Sequence, residues 1–206
     1  MGTRNLTVVQ LGGEYKIAQY GQWDGYPEGQ GRTILDFLVG TGNNEKLKSA
    51  LDRCRYIEPE GRDKEFLAEY NRRAPKWWDD LDNRSAEQRH WFFTYISRDL
   101  GAKILANVAY SDDEEILLKD SLNFAGDSLM CEFAYVIDLD QNTLEVFKGF
   151  NEIPLGEGER FKDVNAGEAA SGKWRPVRMA AKYALSALPS IEQMVADCGD
   201  CDRDYL

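Results

Sequence analysis

Apolar positions recur with two different periods along the chain, and the change of period organises it. Residues 3–10 carry Leu6, Val8 and Val9, and residues 14–20 alternate, with Tyr15, Ile17 and Gln19 on one side. Period two marks a half-buried strand. Gly12-Gly13 between them can take positive φ, so residues 3–20 read as a β-hairpin. Residues 33–39 read as a helix, entered from Gly29 and Gly31 and halted at Gly40 and Gly42. Residues 44–54 place Leu47 and Leu51 at i and i+4, and residues 65–70 gather Phe66, Leu67 and Tyr70 before Pro75 breaks the pattern. Ser85 is a candidate N-cap for a helix running through Trp91, Phe92, Tyr95 and Ile96. Residues 100–110 repeat the helical spacing with Ile104, Leu105 and Val108.

Period two returns in residues 132–139, turns at Asp140-Gln141-Asn142, and continues in residues 143–150. Residues 174–183 read as a further strand, although Ala180-Ala181 also permit a helix. A short helix opens at Pro189-Ser190 and runs through Ile191, Met194 and Val195. Strands lie at both ends, helices lie between them, and βαβ alternation is absent. This order predicts an α+β domain. Hairpins 3–20 and 132–150 form a single antiparallel sheet, with a helical middle packed on it. The predicted domain is residues 1–196, followed by an acidic tail at 197–206.

Composition narrows the function. The 206 residues are 43% hydrophobic and 12% aromatic, enough for a core. No apolar run approaches the roughly 18 residues of a membrane span. Residues 1–5 lack a secretory h-region, and Leu6 stands where the myristoylation pattern invited by Gly2 needs Ser or Thr. With 36 acidic against 25 basic residues the net charge is −11, which repels phosphate backbones. Arg72-Arg73 and Lys173 with Arg175 are the best basic pairs, so no direct nucleic-acid binding and no membrane partner are expected. The acidity serves solubility or a basic partner.

The most unusual segment is residues 19–31, with glycines at 21, 25, 29 and 31. Tyr20, Trp23 and Tyr26 offer stacking faces, and Gln22, Asp24 and Gln30 offer hydrogen bonds. These six are the candidate ligand-binding residues, with Trp23, Asp24 and Tyr26 expected to line the principal cleft. Gly29-Gln30-Gly31 before a helix could present amides to an anion. A compact loop whose aromatics cap the sheet explains the same residues.

Met1-Gly2-Thr3-Arg4-Asn5, the loop motif Ala18 through Pro27 with Gly29-Gln30-Gly31, and the segments 127–140 and 145–151 resemble a family of uncharacterised bacteriophage and prophage proteins. The resemblance implies a phage accessory protein acting in the host cytoplasm and binding a host protein or a small molecule. Countering host defence is one such role. Relatives that begin Met-Cys-Thr-Arg are similar to N-terminal-nucleophile amidohydrolases, which implies that kind of fold. Their freed cysteine would attack with its own α-amine as base. Gly2 carries no nucleophile, and Thr3 would need two residues removed.

No catalytic residue is assigned. His90 is the sole histidine and sits beside Trp91 on a predicted helix. Asp138 and Asp140 share a strand face, which suits acid–base or metal work, but they flank a turn that Asp stabilises. Cys131 reads as a small buried hydrophobe, and Trp77, Trp78 and Trp91 as core or interface anchors. The leading expectation is non-catalytic binding without a cofactor. The alternatives are an N-terminal-nucleophile amidohydrolase or its inactive descendant, and a nucleotide-like ligand binder using residues 20–31.

Cys54, Cys131, Cys198 and Cys201 are expected to be reduced thiols. Cys198 and Cys201 have zinc-like spacing, but two further ligands are missing nearby, so no metal is expected. Elemental analysis of the purified protein should find no stoichiometric zinc. About one zinc per chain, lost on Cys201→Ser, would overturn that expectation.

Overall fold

The computed structural model describes residues 2–58, 63, 64, 68, 91–165 and 172–199. The helical pattern at 65–70, the Ser85 cap, the basic pair Arg72-Arg73, Trp77, Trp78, His90 and Cys201 lie outside the described residues, wholly or in large part.

The first hairpin is β1 (Asn5–Leu11) and β2 (Glu14–Gly21), joined by Gly12 and Gly13 at φ 65° and 75°. A π-helical turn at Pro27–Gly31 runs directly into α1 (Arg32–Val39). Helix α2 (Asn43–Leu51) follows, and then β3 (Cys54–Tyr56). The helical expectation for 44–54 thus fails at its end: Cys54 begins a strand that pairs in parallel with β4 (Ile116–Leu118). Between these lie a π-helical turn at Phe92–Ile96, a 3₁₀ turn at Gly101–Lys103 and α3 (Ile104–Ala109). After β4 come a 3₁₀ segment (Leu122–Gly126), β5 (Phe133–Asp138), β6 (Thr143–Lys148), β7 (Arg178–Ala184) and α4 (Ile191–Asp197). The Ser190 hydroxyl caps α4, accepting from the Gln193 amide at 3.2 Å.

The main sheet has five strands in the order β2-β1-β5-β6-β7. Both hairpins share it, as the pattern predicted, but it is mixed rather than a single antiparallel sheet. The reason is the connection. The chain leaves β2 beside Asn5 and returns to start β5 at Phe133, also beside Asn5. A long, partly helical crossover that leaves and re-enters at one end can only lay β5 parallel to β1.

The central strands β1, β5 and β6 are buried on both faces. Val9, Ile17, Phe133, Tyr135, Ile137, Leu144 and Val146 face the helices, against Ile34, Leu38, Leu47, Leu105 and Met194. Leu6, Val8, Ala134, Val136 and Phe147 face the other way, under Phe161, Val177, Ala125 and Cys131. The pattern put Tyr15 and Ile17 on one side, and the structure separates them. Val9 pairs with Ile17 but Gln10 with Tyr15, so a bulge skips Lys16 and turns Tyr15 to the outer face.

The outer layer is fastened by one arginine. Arg160, from the loop after β6, places its guanidinium 2.5 Å from Glu145 and 2.6 Å from Asp138, and also bonds Gln10. Asp138 and Glu145 are buried. Asp138 also accepts from the amides of Asp140 and Gln141 at 3.0 and 2.8 Å, as turn chemistry predicted. Asp140 reaches the first hairpin and accepts from Gly12 and Gly13 at 2.7 and 2.9 Å. Among the described residues no helix is long and apolar enough to cross a membrane.

Removing one partner of a buried ion pair leaves the other charge uncompensated. Arg160→Met is therefore expected to lower unfolding free energy by about 3–5 kcal/mol, measured by urea titration. A loss under about 1 kcal/mol would show that solvent already compensates both carboxylates.

Candidate functional site

The unusual loop is built from the ends of β1, β2 and β5. Asn5, fully buried, donates its side-chain amide to the carbonyls of Gly21 and Trp23 at 3.3 and 3.1 Å. The Gly25 amide bonds Thr3 O at 2.9 Å, and the Tyr135 hydroxyl bonds Gly25 O at 2.8 Å. Gln30 braces the far side. Its Nε2 donates to Trp23 O at 3.0 Å and its Oε1 accepts from the Ala102 amide at 2.7 Å. Gly31 sits close beneath: a Cβ there would meet Met194 Sδ at 3.0 Å.

The expected anion cradle at Gly29-Gln30-Gly31 is not formed. The Gly29 and Gly31 amides bond Tyr26 O, and the Gln30 amide bonds Asp24 O at 2.8 Å. The π-helical turn takes these donors into its own backbone, because Pro27 starts the helical conformation before Gly29. Gln30, a candidate ligand contact, is likewise committed to the loop itself.

Three candidates reach the surface. Trp23 is 46% exposed and Tyr26 42%, and Asp24 stands exposed between them. Asp24 holds φ 55°, a left-handed conformation that Asp tolerates better than most residues. Trp23 donates Nε1–H to Asp99 at 2.8 Å, and the Tyr26 ring meets Phe133 edge-on at 6.1 Å. Tyr20 and Gln22 lie nearer β2: the Tyr20 hydroxyl donates to Gln22 Oε1 at 2.6 Å, and its ring packs against Phe124. Burial pushes the Tyr20 phenol above its usual pKa, and Arg4 and Arg98 pull it back.

The residues that sequence reasoning missed are Asn5, Arg98 and Asp99. Asn5 belongs to the N-terminal motif, and nothing in its sequence neighbours marks it as the donor that holds the loop. Asp99 is 76 positions from Trp23, and no local pattern links them.

The nucleophile candidates are poorly placed for attack. A Cβ on Gly2 would lie 2.1 Å from Trp23 Cε3 and 2.6 Å from Gln22 O, so the indole fills the space of a side chain there. Thr3 is buried, with its carbonyl held by Gly25. Cys131 is fully buried, donates its thiol to Phe133 O at 3.4 Å, and burial pushes its pKa well up. The Cys54 thiol is pushed up to about 12 by burial. Cys198 is buried at the end of α4 within the helix-side core. Trp91 is a core residue and bonds Leu117 O at 2.7 Å. Among the described residues no three His, Cys, Asp or Glu side chains gather as a metal-ligand set.

No protein-family model matches the chain, and neither a curated protein nor a solved structure matches it. The phage-family resemblance rests on its quoted motifs alone.

Gly2→Ala should displace the Trp23 indole. The expected signs are a red-shifted tryptophan emission, abolished in the Trp23→Phe background, and a Tm lower by about 2–4 °C, the equivalent of about 1 kcal/mol in a chain of this size. An unchanged emission and Tm would mean that the N-terminus moves aside freely.

Proposed function

We propose that this protein is a non-catalytic binding protein of the phage accessory type, and that Trp23, Asp24 and Tyr26 form its recognition surface. The observation that carries the reading is the division of labour within residues 21–31. Asn5, Gln30, Tyr135 and the loop amides hold the backbone, while two large aromatic rings and a carboxylate remain outside the core. Rigid exposed aromatics make effective interface anchors because little entropy is lost on binding. The occupant is a host protein or a small molecule with a stackable face, including a nucleotide-like one. Action on host defence is the role this assigns in a host cytoplasm. The amidohydrolase alternative needs a nucleophile that Gly2 does not offer.

The test separates binding from stability. Asp24→Asn keeps a residue that accepts the left-handed backbone and removes the charge. Trp23→Ala should cost less than the about 3–5 kcal/mol of a buried aromatic truncation. Both variants should keep a cooperative melt yet lose at least about tenfold in affinity for the partner recovered from host lysate or for a nucleotide that raises the wild-type Tm. Unchanged binding per folded molecule in both variants would make the loop purely structural.

A further inference from the structure

Residues 19–31 contain two acids, Asp24 and Glu28, and no lysine or arginine, in a chain whose net charge is −11. The loop backbone brings the two acids close. The Gln30 amide bonds Asp24 O at 2.8 Å, and a Cβ on Gly29 would meet Asp24 Cβ at 2.9 Å. Gly29 therefore lies against the Asp24 side chain, and Glu28 is one step of about 3.8 Å back along the chain. Both acids are exposed, and among the described residues neither carboxylate accepts a hydrogen bond or joins an ion pair. Arg4, just before β1, turns its guanidinium to Met130 Sδ at 2.8 Å instead.

The two rings come from the residues on either side of this acid pair's first member. Gly21, Asn5 and Phe133 form one row across β2, β1 and β5. The Trp23 indole lies against Gly2, in line with β1, and donates to Asp99. Gly25 crosses the end of β1 with its amide on Thr3 O, and Tyr26 reaches β5, where its ring meets Phe133. Part of each ring is thus held by the protein and the rest is open to solvent. Among the described residues no cation lies over either ring.

An aromatic face attracts an organic cation, and so does a carboxylate without a partner. A guanidinium uses both at once, because its plane stacks on a ring while its fork of N–H donors meets a carboxylate. An anionic ligand meets the opposite field here. We propose that this surface binds an arginine side chain of a basic partner protein, with the guanidinium on Asp24 and Glu28 and the side chain covered by Trp23 or Tyr26. The proposal rests on the reading of Trp23, Asp24 and Tyr26 as the recognition surface and narrows its occupant to a cationic protein segment.

The probe is a blocked pentapeptide of alternating glycine and arginine, titrated into the full chain by isothermal calorimetry. Its control is the same peptide with citrulline in place of arginine, which keeps the planar head group and removes the charge. The arginine peptide is expected to saturate, and the citrulline peptide to bind at least about tenfold more weakly, the scale of one charge-assisted hydrogen bond. Asp24→Asn combined with Glu28→Gln should keep the wild-type melt and weaken the arginine peptide at least about tenfold, although it removes only two of the eleven net negative charges. Asp112→Asn combined with Glu114→Gln, exposed acids outside the loop, makes the same change in net charge and should leave the affinity within about twofold at physiological salt. Equal affinity for the two peptides, wild-type affinity in the loop double variant, or an equal loss in both double variants would overturn the proposal. Adenosine monophosphate separates the two levels of the reading. If it binds the wild type, weakens in Trp23→Ala and is untouched by the loop double variant, the aromatic surface stands and its cationic occupant is wrong. If the arginine peptide binds Trp23→Ala and Tyr26→Ala as tightly as the wild type, the aromatic surface itself falls and the proposal with it.

Discussion

The parallel contact between β1 and β5 is the joint on which this architecture turns. It runs from Asn5 opposite Phe133 to Gln10 opposite Asp138 and is the junction between the two hairpins. Neither hairpin would be stable alone, because a two-stranded ribbon buries too little surface. Joined, they place Thr7, Val8 and Val9 in the middle of a sheet, and every residue of β5 is buried. The joint also fixes what stands at each end. At one end it brings Gly12, Gly13, Asp138 and Asp140 together, so that the turn of the second hairpin holds the turn of the first. At the other it places Thr3, Asn5 and Tyr135 where they can grip the loop.

A sheet buried on both faces has to be covered twice, and the two covers are held by different means. The helix side is an apolar contact among α1, α2, α3 and α4. The outer side is a loop with few apolar residues of its own, seated by Phe161 against Phe147 at 4.7 Å and by the Arg160 cluster. Glu145 faces that cover from mid-strand, where a carboxylate is tolerated only because Arg160 and Lys182 neutralise it. Charge therefore does at the outer face what side-chain volume does at the helix face.

The same arrangement sets what the loop end buries and what it presents. Its reactive groups are shielded: the Cys131 thiol lies in the core, and the indole of Trp23 covers Gly2. Its exposed groups stand on a hydrogen-bonded backbone. The strain of a left-handed Asp24 is sustained by the bonds to its carbonyl and on either side of it, from Asn5, Gly25 and Gln30. A second left-handed residue, Phe150, lies at the same end of the sheet, held by its amide on Ser128 O at 2.7 Å.

Local chemistry determined a good deal. Gly12-Gly13 specified the first turn, Asp140-Gln141-Asn142 the second, and Ser190 the start of the last helix, because each depends on a few consecutive residues. The α+β class followed from the change of hydrophobic period, and Cys131 and Trp91 were legible as core. The tertiary structure decided whatever depends on distant chain. The parallel sense of β5 came from where the crossover re-enters, and the opposite faces of Tyr15 and Ile17 from a bulge that alternation cannot reveal. Gln30 looked like a ligand contact because its partners, Trp23 O and the Ala102 amide, are not visible in its neighbours. The Gln22 amide finds the carbonyl of Arg98, distant in the sequence, only because the chain beyond the crossover helices runs alongside the end of β2. Residue type and short spacing set the elements, and backbone pairing across the sheet set which side chains share a surface.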